Sequence, residues 1–285
     1  MKKLIVFASI IALMCSACSK DVNDEFTSTD NQNVLQQTEL VTLTFTPYEM
    51  EAITRAATAI TSLSDYLDVW ITDGTTMSAV HQTKTTSGFG TVSMTLDKTK
   101  TYTLYAIAHK SGGAATLADD VISFPDDKVS ETFYYTTTFS PATTTSLSCQ
   151  MSRIVGRFVL TTTDNVPEGT KKMKMTVYNA FTKVNIDGTP STTADREVVI
   201  NIPGSYIGQT LTINTNLLAT TAEATINIKV QALDTDDEVI QERTFTDVPY
   251  KANYKTTYSG TFFIDTAMSL TFTADDWSEY DTINY

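Results

Sequence analysis

The sequence predicts an all-β protein built from antiparallel β-sandwiches, and three observations carry that expectation. Apolar and polar residues alternate in one short run after another, which is the period of a strand with one face inward. Thr is the commonest residue, and being β-branched and polar it suits the solvent face of such a strand. Turn dipeptides such as Asp73-Gly74 and Asp187-Gly188 punctuate the runs, and after the leader no helical period exceeds about two turns. Many short strands spaced about 8 to 14 residues apart read as sandwiches.

The leader comes first. Lys2-Lys3 precedes an apolar run over residues 4–14, followed by Cys15-Ser16-Ala17-Cys18. This is the layout of a secretory signal, too short for a membrane span. A peptidase pocket built for small side chains accepts Ala17 more readily than Met14, so the cut falls between Ala17 and Cys18, making residues 1–17 the signal peptide. The site resembles a bacterial lipoprotein signal. That resemblance implies a diacylglyceryl group on the Cys18 sulfur and a further acyl chain, such as palmitate, on its amine. Cys15 departs from the leucine usual at its position. More than one acyl chain is what stable membrane attachment needs.

Residues 18–39 hold little apolar surface, so they are expected to stay disordered and act as a lipid tether. The acidic residues Asp21, Asp24 and Glu25 resemble the export tag that sends such lipoproteins to the outer face of the cell outer membrane. The formal net charge of −13 becomes −15 once Lys2 and Lys3 leave with the leader. A chain this acidic is a poor nucleic-acid binder and gains nothing from anionic head groups. With Cys18 acylated, Cys149 has no partner, so no disulfide is expected.

In the first half, Val41, Leu43 and Phe45 alternate with Thr42, Thr44 and Thr46 until Pro47 stops the run. Leu67, Val69 and Ile71 repeat the pattern, as do Val92, Met94 and Leu96, then Tyr102, Leu104 and Ala106. Residues 136–148 are rich in Thr, Ser and Pro, and a fresh apolar strand is expected over residues 153–160. The chain therefore divides into sandwiches at 40–152 and 153–285, each long enough to bury a core.

Asp164-Asn165-Val166-Pro167 closes the strand at 153–160 with turn chemistry. Further runs follow at Met173, Met175 and Val177, at Val198, Ile200 and Ile202, at Leu211 and Ile213, and at Ile226, Ile228 and Val230. The last strands are expected at 254–263 and 268–272. A short helix fits only at residues 47–57 or 114–120.

Several of these pieces, in order, carry a second resemblance: the lipoprotein cysteine, the first strand, Thr54-Arg55-Ala56, Arg153-Ile154-Val155, Asp164-Asn165-Val166-Pro167, and Val248-Pro249-Tyr250-Lys251-Ala252-Asn253-Tyr254-Lys255-Thr256-Thr257-Tyr258-Ser259-Gly260. Together they resemble the fimbrillin-like fimbrial subunits of Bacteroides-type bacteria, stalk pilins and anchors alike. Ala252 departs from that pattern, where a basic residue often precedes the asparagine.

The resemblance implies two transthyretin-like sandwiches in tandem, in a structural subunit of surface fimbriae that supports adhesion. It implies partners among other fimbrial subunits, joined by strand exchange. An arginine-specific protease would cut between Arg55 and Ala56, removing the strand that bears Val41, Leu43 and Phe45. A neighbour's terminal strand, represented here by Met268, Leu270 and Phe272, would then fill the slot. Unpaired backbone along such a slot is a template for an incoming strand. A stalk subunit loses Cys18 with the first strand and an anchor keeps it; both remain open.

Catalysis finds little support. His81 and His109 are the only histidines, and neither has a second ligand at metal spacing. Asp234-Thr235-Asp236-Asp237-Glu238 lacks the glycine and distal glutamate of a calcium loop and reads as a hairpin turn. No enzyme activity, metal or cofactor is therefore expected. The rival reading is a surface glycan-binding lipoprotein, with Trp70, Tyr134, Tyr135 and Trp277 as stacking platforms for sugar rings.

Overall fold

The first alternating run forms β1 (Thr38–Tyr48), with Val41, Leu43 and Phe45 inside the core. A computed structural model of the chain describes residues 38–48, 60–264 and 271–276, within one compact unit, Gln37–Tyr285. After β1 come a one-turn helix, α1 (Ile60–Leu63), then β2 (Tyr66–Thr72), β3 (Met77–Thr83), β4 (Thr91–Asp97) and β5 (Tyr102–His109). The short hairpin β6 (Thr116–Ala118) and β7 (Val121–Ser123) precedes β8 (Thr132–Phe139) and β9 (Ser146–Arg153).

These strands, apart from the hairpin, form a seven-stranded sheet in the order β3-β2-β5-β8-β9-β1-β4. Its two ends share one core: Val41 and Leu43 of β1 cluster with Leu67 and Val69 of β2 and Leu104 of β5. A flat sheet cannot bring those strands together, so the sheet folds over at the β8–β9 contact and lays β9-β1-β4 against β3-β2-β5-β8. That contact is only two residue pairs long, Phe133 with Arg153 and Tyr134 with Ser152.

The second half contains β10 (Val155–Thr162), β11 (Lys172–Asn185), β12 (Pro190–Asn201), β13 (Thr212–Leu218), β14 (Ala224–Leu233), β15 (Val239–Tyr250), β16 (Tyr254–Gly260) and β17 (Thr271–Asp276). One sheet reads β13-β10-β16-β17; in the other, β11 takes β12 on one edge and β14, followed by β15, on the opposite edge. Phe158, Leu160, Met173, Met175, Ile213, Ile228 and Val230 fill the space between.

Several expectations change. The strands are not antiparallel throughout: β1 runs parallel to β9 and β10 parallel to β16. Parallel neighbours need long connections, and alternation reports which face is buried, not the direction of the neighbour. The strand expected over 153–160 is two strands meeting at Ile154, whose N–H donates to Thr132 O and whose carbonyl accepts from Ala219 N–H, both at 3.0 Å. The possible helix at 114–120 is β6 and its turn, while Pro47 and Tyr48 finish β1. The Thr- and Ser-rich stretch 136–148 covers the end of β8 and the start of β9.

The two halves repeat a connectivity that no sequence repeat announces. In each, the first strand (β1, β10) lies between an antiparallel fourth strand (β4, β13) and a parallel strand from near the end of that half (β9, β16). The opposing layers correspond as well, β3-β2-β5-β8 with β12-β11-β14-β15.

Several ties cross between the halves. The β6–β7 hairpin pairs with β11, Ile122 opposite Val184, and both side chains are fully buried in a cluster with Trp70, Ile107, Tyr134 and Leu218. The Tyr134 hydroxyl donates to Ile186 O, and its ring packs so closely on Gly188 that a Cβ there would lie 2.5 Å away. Arg153 donates to Asn253 Oδ1 and to Glu131 Oε1, each at 2.7 Å, with its guanidinium 4.9 Å from the centre of the Phe133 ring. Arg153 and Asn253 come from two of the motifs that carried the fimbrial resemblance, a hundred residues apart.

Candidate strand-exchange site

β1 is an interior strand. It pairs antiparallel with β4 from Thr38 opposite Asp97 to Thr44 opposite Thr91, and parallel with β9 from Thr42 beside Ser146 to Tyr48 beside Ser152. The Thr42 N–H donates to Thr145 O at 2.9 Å and the Phe45 N–H to Gly90 O at 2.8 Å. Burying Val41, Leu43 and Phe45 stabilises by about 1.5 to 3 kcal/mol each. Removing β1 would bare backbone on both β4 and β9 and open a slot lined by Val92, Leu96, Cys149 and Met151.

Cys149 sits beside Phe45 in the parallel register and is fully buried. Burial pushes its thiol up to about 12, with Tyr135 as its neighbour. Burial likewise raises the Tyr135 hydroxyl. The thiol is therefore protonated and inert while β1 is in place.

At the other end of the chain, β17 lies antiparallel on β16, with Phe272 opposite Tyr258 and Asp275 opposite Lys255. The path towards it is fixed by Asp164, a buried carboxylate. Its Oδ1 accepts from Phe262 N–H at 2.8 Å, and its Oδ2 from Phe263 N–H at 2.6 Å and Ile264 N–H at 2.9 Å. Arg243 holds the carbonyls of the same turn, donating to Phe262 O and Ile264 O. The sequence marked Asp164 only as a turn residue; an acidic side chain closing a strand is the signal that suggested a turn, and nothing in it reveals the partners a hundred positions later.

Of the residues singled out from sequence, Ala17, Cys18, Arg55, Ala56, Met268, Leu270 and Trp277 lie outside the described residues. Trp70 and Tyr134 are buried between the halves, and Tyr135 is partly buried against the first core. The acidic stretch at 234–238 is a turn: Asp234 Oδ1 accepts from Asp236 N–H and Glu238 N–H.

Both histidines converge on Asp68, which the sequence did not foretell. His81 Nδ1 lies 2.7 Å from Asp68 Oδ1, while His109 Nε2 lies 3.0 Å from Oδ2, which also accepts from Ala115 N–H. The Ser111 N–H donates to His109 Nδ1, so the proton of that ring faces the carboxylate. Tyr66 stacks on both rings. The only hint is a charged residue on the strand face that also bears Trp70. Among the described residues no group of three His, Cys, Asp or Glu is arranged to hold a metal ion.

No protein-family model matches the chain, and no curated protein matches it significantly. Solved structures do match. A candidate adhesin from Bacteroides ovatus superposes with a TM-score of 0.53 at 12% identity, covering 82% of this chain and 95% of its own. A candidate adhesin from Bacteroides thetaiotaomicron gives 0.51 at 10% identity, with the same coverage of 82% and 95%. The fimbrial anchor protein Mfa2 from Porphyromonas gingivalis, at 12% identity over 84% of this chain and 98% of its own, reaches only 0.46, and no argument rests on it. At such identities the likeness is one of fold: an all-β, adhesin-like sandwich architecture.

Proposed function

We propose that the chain is a structural subunit of cell-surface fimbriae, an anchor, minor or stalk component, assembled by strand exchange and supporting adhesion. It is held at the outer membrane by acyl chains on Cys18, and its two sandwiches divide at 40–152 and 153–285. The observation that carries this reading is the place of β1: an interior strand near the chain start that supplies Val41, Leu43 and Phe45 to a core and has Arg55 a few residues beyond its end. Loss of that strand after cleavage between Arg55 and Ala56 leaves a hydrophobic slot with unpaired backbone on both sides. A segment bearing Met268, Leu270 and Phe272 from another subunit is the proposed filler. The adhesin-like fold supports a binding and assembly role over an enzymatic one.

The glycan-binding alternative is weakened because Trp70 and Tyr134 are packed inside the molecule and unavailable for stacking on sugar. N-terminal sequencing of protein from native outer membranes, with and without an arginine-specific protease, tests the proposal. A new start at Ala56 with gain of polymer identifies a stalk subunit. A blocked, acylated Cys18 identifies an anchor. An unmodified Cys18 with no cleavage at Arg55 would overturn both.

A further inference from the structure

The matching connectivity of the two halves exposes one mismatch. In the second half, β16 has a neighbour on each edge, β10 on one and β17 on the other, the latter over six pairs from Tyr254–Asp276 to Ser259–Thr271. Its counterpart β9 has β1 on one edge, but on the other it meets β8 only at Ser152 and Arg153. Among the described residues, the outer edge of β9 from Ser146 to Met151 has no strand beside it. The cause lies in the chain path. After β16 the backbone turns at 262–264, pinned by Asp164, and supplies β17, whereas after β9 it passes through Ile154 directly into β10.

The open groups can be identified. Thr145 O is bonded to β1, so by alternation the N–H and C=O groups of Ser146, Ser148 and Gln150 point the other way. Four other edges, β4, β12, β13 and β15, are defended. β12 carries Asp195, Arg196 and Glu197, and β15 carries Glu242, Arg243 and Pro249 with two register shifts. Edge carbonyls of β4 and β13 are taken by side chains, Thr91 O by Gln82 and Asn216 O by Arg196. Residues 146–151 of β9 contain no charge, no Pro and no recorded bulge. β3 is also an edge, but so is its counterpart β12, so the comparison of halves singles out β9.

We infer that the outer edge of β9 is an acceptor for the β17 segment, Thr271–Asp276, of a second copy of this chain, laid antiparallel as β17 lies on β16. The open stretch, 146–151, is as long as β17 itself. The contact needs no cleavage and leaves β1 in place. Because the acceptor lies in the first half and the donor in the second, the contact is heterologous, and such contacts add subunits head to tail. It rests on the reading that subunits join by strand addition, but uses a different edge from the slot under β1.

The test uses the intact chain, untreated with protease, and a synthetic peptide of residues 268–278. Hydrogen exchange at Ser146, Ser148 and Gln150 should slow at least tenfold on saturation with the peptide. Ser148→Pro removes an outward N–H that β1 does not use, and should weaken peptide binding at least tenfold; Gln150→Lys, which keeps the backbone intact, should act in the same direction. No protection at 146–151, or protection confined to β16, overturns the inference. Polymerisation that appears only after cleavage at Arg55 and is unaffected by Ser148→Pro also overturns it while sparing the proposed function.

Discussion

Arg153 ties the two halves together through a single guanidinium. Its guanidinium joins Glu131 of the first half to Asn253 of the second and lies over Phe133, with the side chain almost wholly buried. Arg153→Ala leaves Glu131 without its principal cation and should cost about 3 to 5 kcal/mol, read as a fall in the urea midpoint. Arg153→Lys should recover only part of the loss, since an ammonium cannot reach both oxygens in one plane. Asp164→Ala strands three backbone N–H groups and should cost about 3 kcal/mol or more, with faster exchange at Phe262, Phe263 and Ile264 as the local sign. The types of these residues were legible in the sequence. Their partners were not, because hydrogen bonds spanning a hundred positions leave no local pattern.

At the level of strands, the sequence is readable where burial is one-sided. β1, β4 and the stretch of β14 from Ile226 to Val230 show alternation that matches their burial, whereas β2 is buried on both faces from Leu67 to Ile71 because its second face, with Trp70, packs between the halves. β3 was missed because only Gln82 of its seven residues is buried, and a polar core residue carries no hydrophobic signal. β8 and β9 were obscured by Thr136, Thr137, Thr138, Ser146 and Ser148, which look like linker composition until their backbone pairing is known. The C-terminal strand lies a few residues later than expected, at Thr271–Asp276, beyond the clamped turn at 262–264. Cys149 offers a reporter for β1. With the strand in place, a thiol reagent at pH 8 should label Cys149 negligibly. After cleavage at Arg55 and loss of β1, labelling should rise by orders of magnitude, and a filler strand should suppress it again.

Across the whole molecule, burial sets an alkaline limit. The Cys149 thiol is raised from 9.0 to about 12 and the Tyr134 hydroxyl from 10.0 to about 12, both by burial. The folded chain keeps protons that the unfolded chain releases, so stability should fall as pH rises from about 9 towards 12. Arg196, lowered to about 10 by burial, acts in the opposite sense and only above that pH. Urea midpoints at pH 8 and pH 10.5 should differ accordingly, and Cys149→Ala should flatten the dependence. The ties between the halves predict a single cooperative thermal transition. Ile122→Asp places a charge in the shared cluster and should split the transition into two in a calorimetric scan.

The parallel pairing of β1 with β9 has a mechanical meaning. The backbone enters β1 at Thr38 and leaves β9 at Arg153, at opposite ends of the same ladder. Tension along the chain between those points pulls the two strands lengthwise past each other, loading every rung at once instead of peeling them apart singly. β10 and β16 repeat that geometry. A body built this way resists stretch by shear, the loading in which all the hydrogen bonds of a ladder must fail together.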